Sequence, residues 1–259
     1  MVYVFLCKYN QSRDYINEYN LIRFLSKEKQ DKFTKNINKK SVVQSVIGEL
    51  VTRIIFCKLL KLDNKSLVFK KDDYNKPFLV STQGWEFNIS HSGEWIVCVF
   101  SRHCVGVDLE QVKQRQLGIA EQYFSEEEYT SIINQDTSNQ LVHFYRILTL
   151  KESYIKAIGK GLKIPLNSFC IKGDNYRFYM QAKNSLPKAY FQHFNVGKHY
   201  VMSICAFEEF ASHVTFLEIK ELVDLSVLLN FPEELSLKME SLNKSVSIFS
   251  GEGRFSMCC

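Results

Sequence analysis

Two carboxylates stand two residues apart in the run Val105-Gly106-Val107-Asp108-Leu109-Glu110. On a strand, side chains alternate, so Val105, Val107 and Leu109 take the core face and Asp108 and Glu110 the opposite one. Carboxylates about 5 Å apart repel by about 3 kcal/mol at an effective dielectric of about 20, and a cation between them removes that repulsion. Such oxygen donors favour magnesium, calcium or manganese over zinc. Taken alone, the pair reads first as the solvated end of a strand.

A second set is Lys151-Glu152-Ser153-Tyr154-Ile155-Lys156. On a helix, Glu152 and Lys156 lie one turn apart on one face. The bland reading is a surface ion pair worth about 0.3–0.5 kcal/mol. The chemical reading makes Glu152 a third ligand of the same ion and Lys156 a phosphate contact. A third set, Phe87-Asn88-Ile89-Ser90-His91-Ser92-Gly93, reads as a turn rich in donors where a phosphate could sit. It lacks the Gly-x-Ser-x-Gly elbow, so no Ser/His/Asp nucleophile is expected.

These side chains need elements to hold them. Val2–Lys8 reads as a strand, and two helical pieces follow between about Ser26 and Leu60. In the second, Val43, Ile47, Leu50, Ile54 and Cys57 recur at helical spacing. Residues 66–69 read as a short strand, and Asp72–Pro77 as a turn. Phe87–Ile89 and Trp95–Phe100 read as strands joined through Ser90–Gly93, with Cys104–Glu110 as the next strand. Ser125 with Glu128 is a capping box. A long helix is expected from about Asn139 to Gly159, stopped by Gly159 and Gly161 with Pro165 beyond. Later strands are expected at Phe169–Ile171, Arg177–Met180 and Tyr200–Cys205, and the stretch from about Pro232 reads as an appended tail. The mixture describes an α+β protein.

Apolar residues make up 46% of the 259 and charged residues 24%, which fits a globular chain rather than a fibrous or disordered one. The net charge of +5 suits phosphorylated ligands or acidic partners without pointing to nucleic acid. No run approaches the roughly 20 apolar residues that span a bilayer, so no membrane role is expected. Met1–Cys7 lacks a basic region and a cleavage site, so it reads as a strand and not a signal peptide. The 8 cysteines show no zinc spacing and read as reduced thiols of a cytoplasmic protein, with Cys258 and Cys259 at the end of the chain.

Five blocks in order carry a resemblance: Asn-Lys-Pro at 75–77, Phe-Asn-Ile-Ser-His-Ser at 87–92, Val-Gly-Val-Asp-Leu-Glu at 105–110, Phe-Ser-Glu-Glu-Glu-Tyr at 124–129, and Lys-Glu-Ser-Tyr-Ile-Lys-Ala-Ile-Gly-Lys-Gly-Leu at 151–162. Over about residues 1–225 the chain resembles the Sfp-type 4'-phosphopantetheinyl transferases, which activate non-ribosomal peptide synthetases. The resemblance implies a monomer of two similar α/β subdomains in a pseudo-two-fold arrangement. They would be 1–103 and a metal-bearing 104–225, with 226–259 as an appended tail. It implies transfer of phosphopantetheine from coenzyme A to a serine of an apo acyl or peptidyl carrier protein, releasing adenosine 3',5'-bisphosphate. Asp108, Glu110 and Glu152 match the ligands of magnesium, with manganese as an alternative. Lys156 matches the phosphate-contacting lysine; Glu152, then Glu110, are the candidates for taking the serine proton. Lys29, Lys32, Gln44, Asn75, Lys76, Pro77, Ser90, His91, Lys151 and Asp108 complete the coenzyme A set, and Glu128 matches a further acidic residue near the site. Gln111–Phe124, which mixes Leu117, Ile119, Tyr123 and Phe124 with Lys113 and Arg115, is the expected carrier dock.

Three positions depart from the family pattern. Asn75 replaces a glycine, Leu148 a tryptophan, and Gln44 an arginine for the 3'-phosphate, whose charge Lys40 would supply instead. Two rivals differ in what they need. A protein that only retains coenzyme A has no use for the full set Asp108, Glu110, Glu152 and Lys156. A metal-dependent phosphohydrolase needs a place for an attacking water and no carrier surface.

Overall fold

The computed structural model describes residues 1–241 apart from 11, 13–14, 35–39, 81–83, 116, 174–177 and 183–185. The first half runs β1 (Val2–Lys8), α1 (Tyr15–Glu18), α2 (Lys27–Thr34), α3 (Lys40–Leu60), β2 (Phe69–Lys71), β3 (Pro77–Leu79), β4 (Glu86–Ser92) and β5 (Trp95–Ser101). The second half runs β6 (Val105–Gln111), α4 (Ile119–Tyr123), α5 (Glu126–Ile133), α6 (Thr137–Ile158), β7 (Phe169–Gly173), β8 (Phe178–Ala182), β9 (Tyr190–Val196) and β10 (Tyr200–Ala206). The chain then returns to the first half as β11 (Ser212–Leu217), α7 (Ile219–Val227) and α8 (Pro232–Ser241).

The order strand, long helix, two hairpins thus occurs twice. One sheet is β11-β1-β5-β4, the other β6-β10-β9-β8-β7, and β2-β3 form a separate pair. β1 lies antiparallel to β5 as β6 does to β10, Val4 facing Val99 and Val107 facing Ile204. Val2, Val4 and Leu6 share one apolar cluster with Val105, Val107 and Leu109, which joins the two halves. On the other face of β1, Phe5 and Cys7 pack with Ile47, Leu50 and Ile54 of α3. The matching positions of β6 are Asp108 and Glu110. One helix–strand contact is therefore apolar and its counterpart charged.

β4 and β6 are outer strands of different sheets, yet they meet side by side. The amides of Val107, Leu109 and Gln111 donate to Asn88 Oδ1 at 3.0 Å, Ser90 Oγ at 3.2 Å and Ser92 Oγ at 3.0 Å. Side chains thus satisfy a strand edge that would otherwise stay unpaired.

Three expectations change here. Ser90, His91 and Ser92 belong to β4 and not to a turn, because the hairpin needs only Gly93, at φ 58°, and Glu94 to reverse the chain. Alternation then separates Ser90 and Ser92 from His91. The division at 225 and the appended tail are overturned as far as residue 241. β11 pairs in parallel with β1, and Leu222, Leu225, Leu229, Leu235 and Met239 fill the first-half core. Residues 242–259, with Cys258 and Cys259, lie outside the described residues, as does Arg177. β9 was not anticipated.

Candidate active site

β4, β6 and α6 converge on Asp108. The approach of α6 depends on Gly106: a Cβ there would lie 2.1 Å from the Ser153 carbonyl oxygen and 2.4 Å from the Ala157 nitrogen. With no side chain in the way, the helix backbone lies against the strand. Lys156 then reaches Asp108 Oδ1 at 2.7 Å and Ser90 Oγ at 3.0 Å. Gly159, at φ 83°, ends the helix one turn later.

Asp108 is only 4% exposed, and its Oδ2 is buried with no hydrogen-bond partner among the described residues. Ser92 donates to Glu110 Oε2 at 3.0 Å. Burial, then the neighbouring Asp108 charge, holds the Glu110 carboxyl above its usual range. Glu152 is raised for the same reasons, with Glu110 adding to the effect and Lys156 opposing it. Three coupled carboxylates and one ammonium thus share this corner. Among the described residues no three His, Cys, Asp or Glu side chains already stand in a metal-holding arrangement. The donor chemistry fits a divalent ion nonetheless: hard oxygens, mutual repulsion, and an orphaned buried oxygen on Asp108.

His91, on the other face of β4, is exposed, and partial burial of its ring together with the Lys156 charge lowers its pKa. Asn75 adopts the left-handed conformation at φ 66° that the replaced glycine would take, and Asp72 Oδ1 accepts from the amides of Tyr74 and Lys76 to close the turn. Lys76 donates to the Ala157 carbonyl at 3.0 Å, so the β2–β3 turn caps α6, and Pro77 begins β3.

Four expected coenzyme A contacts make bonds within the protein. Lys151 is 0% exposed; its ammonium pairs with Glu128 at 2.8 Å and donates to the carbonyls of Leu166 and Phe169. Burial lowers its pKa and Glu128 counters that. Glu128 also accepts from the Ile171 amide and closes the capping box with Ser125, so this pair ties α5 and α6 to β7. Gln44 is buried, and its amide donates to the Gly93 carbonyl at 3.0 Å, bracing the β4–β5 turn. Lys29 is paired with Glu49, which also holds Arg53. The Ser90 hydroxyl is enclosed between Asp108, Lys156 and the Leu109 amide. Lys40 is exposed at the start of α3, and the Lys32 side chain lies outside the described residues.

Gly106 and Ser92 matter to the site and were not singled out. The signal for Gly106 was a glycine inside a strand, which marks a close backbone approach. Beside Glu152 a cavity of about 500 Å³ opens, lined among others by Arg115, Ile119, Tyr123, Phe144 and Leu148.

The family model described as 4'-phosphopantetheinyl transferase superfamily matches residues 104–205, and the one described as 4'-phosphopantetheinyl transferase, N-terminal, matches residues 14–103. The 4'-phosphopantetheinyl transferase gsp of Aneurinibacillus migulanus is 36% identical over 81% of this chain and 88% of its own length. The 4'-phosphopantetheinyl transferase Sfp of Bacillus subtilis is 31% identical over 77% of this chain and 90% of its own. With both halves matched and relatives aligned along most of their length, this chain belongs to the Sfp-type 4'-phosphopantetheinyl transferases.

Proposed function

We propose that the transfer of 4'-phosphopantetheine from coenzyme A to a carrier-protein serine takes place where β4, β6 and α6 converge, with Asp108, Glu110 and Glu152 holding a divalent ion, magnesium or manganese. The observation that carries this reading is the buried Asp108 Oδ2, which has no hydrogen-bond partner among the described residues and lies beside the carboxylates of Glu110 and Glu152. When bound, the ion supplies positive charge against the pyrophosphate and the leaving adenosine 3',5'-bisphosphate. Lys156, held by Asp108 and Ser90, stabilises the negative charge growing on the phosphoryl oxygens. Glu152 takes the serine proton, with Glu110 as the second candidate. His91 and Lys76 flank the coenzyme A side.

The test is the intact mass of an apo carrier protein incubated with the chain and coenzyme A. The mass of one phosphopantetheine arm appears with magnesium, disappears with excess EDTA and returns with manganese. Full modification in EDTA contradicts the ion.

The carrier docks over the segment 111–124 and the cavity beside Glu152. Tyr123 is 52% exposed, while Phe124 is buried against Phe144, so the pair divides into one surface and one core residue. Lys113 and Arg115 are exposed, and the Arg115 guanidinium lies 5.7 Å from the Phe144 ring centre. Gln116 lies outside the described residues. An apolar hollow with a basic rim suits an acidic partner with a short apolar helix, where burial supplies affinity and charge steers encounter. Changing Lys113 and Arg115 together to Glu raises KM for the carrier about ten-fold at low salt and flattens its salt dependence, with coenzyme A affinity unchanged. Unaltered carrier kinetics at low salt place the dock elsewhere.

A further inference from the structure

Three alternate residues of β4 face three alternate amides of β6, and their chemistry follows that of the strand they meet. Opposite Gly106 and the Val107 amide stands Asn88; opposite Asp108 and the Leu109 amide stands Ser90; opposite Glu110 and the Gln111 amide stands Ser92. A hydroxyl occurs where β6 carries a carboxylate. Ser90 Oγ accepts from the Leu109 amide at 3.2 Å and from Lys156 Nζ at 3.0 Å, which fills its two lone pairs. Its single proton is left for Asp108 Oδ1 at 3.2 Å. Ser92 Oγ accepts from the Gln111 amide at 3.0 Å and donates to Glu110 Oε2 at 3.0 Å. Each carboxylate therefore has one oxygen clamped by a hydroxyl, and the backbone amide of the very next residue aims that hydroxyl.

We propose that Ser90 and Ser92 are positioning residues of the transfer reaction. They act through Asp108 and Glu110, fix one oxygen of each, and leave the second free for the divalent ion; neither serine binds coenzyme A. The unpartnered Asp108 Oδ2 is the oxygen this arrangement leaves over. The inference rests on the reading of Asp108 and Glu110 as ion ligands. Partners that orient metal-binding groups typically govern affinity by about 10–100-fold.

The experiment is manganese binding followed by electron paramagnetic resonance with coenzyme A bound, alongside the KM for coenzyme A. Ser92→Ala weakens manganese about ten-fold, Ser92→Thr restores it to within about two-fold, and KM for coenzyme A moves by less than about two-fold in both. Ser90→Ala weakens manganese at least as much; should this buried change prevent folding, the half-buried Ser92 decides. Wild-type manganese affinity in Ser92→Ala, or a loss of coenzyme A affinity in its place, overturns the proposal. Asp108→Asn separates the layers. If it too leaves manganese untouched, the ion reading fails; if it loses manganese while Ser92→Ala does not, only the positioning role fails.

Discussion

Asp108→Ala lowers kcat/KM by about a thousand-fold or more, because several kcal/mol of charge stabilisation at the phosphoryl centre go with it. The fold survives the change. Among the described residues only Asp108 Oδ1 is bonded, to Lys156 and Ser90, and Oδ2 is without a partner, so alanine removes an unsatisfied buried oxygen along with two bonds. Lys156 keeps Ser90 and has 29% of its side chain exposed, so no unpaired charge is trapped. A melting temperature within about 5 °C of wild type is expected, since about 1 kcal/mol shifts a chain of this size by about 2–4 °C. The measurement is the pair of carrier mass gain and thermal melt. Near-normal turnover in this variant removes Asp108 from the reaction; collapse of the fold shows its role to be structural.

How much of this was legible in the sequence depends on range. The alternation in 105–110 correctly separates Val105, Val107 and Leu109, which lie in the core between the halves, from Asp108 and Glu110. The capping box at Ser125 and Glu128 forms, and the helix bearing Glu152 and Lys156 ends at Gly159. All of these are local patterns of one strand or one helix. The resemblance puts Lys151 in the coenzyme A set, yet its ammonium has partners at Glu128, Leu166 and Phe169, on three other segments. Periodicity carries no information about which buried lysine finds a buried carboxylate. The pairing of β1 with β11 joins residues some 210 positions apart and leaves no periodic trace, and although Asn88, Ser90 and Ser92 alternate along β4, that alternation does not say which strand of the other sheet they meet. The return helices are different: Ile219, Leu222, Leu225 and Leu229 recur at helical spacing, and that signal was present to be read.

Gly106→Ala is the change that tests how the site is assembled rather than what it contains. The new methyl would stand 2.1 Å from the Ser153 oxygen and 2.4 Å from the Ala157 nitrogen, and both are backbone atoms that cannot rotate aside. Ordinary contact requires about 3.4 Å or more, so α6 must retreat by about an ångström. Overpacking of this kind costs about 1–3 kcal/mol, which lowers the melting temperature by several degrees. The larger effect is on turnover. Glu152 and Lys156 ride on the displaced helix, while Asp108, Glu110, Ser90 and Ser92 stay on the strands. A misplacement of about 1 Å at a reacting centre costs about a hundred-fold in rate. Gly118→Ala serves as the control for melting, because a Cβ there meets nothing within 4 Å and its φ of −56° suits any residue. The expected outcome is a stable, folded Gly106→Ala variant with about one per cent of wild-type kcat and a lengthened Lys156–Asp108 distance in its crystal structure. A variant that melts and turns over like wild type would show that α6 reaches the carboxylates without needing the bare backbone at 106.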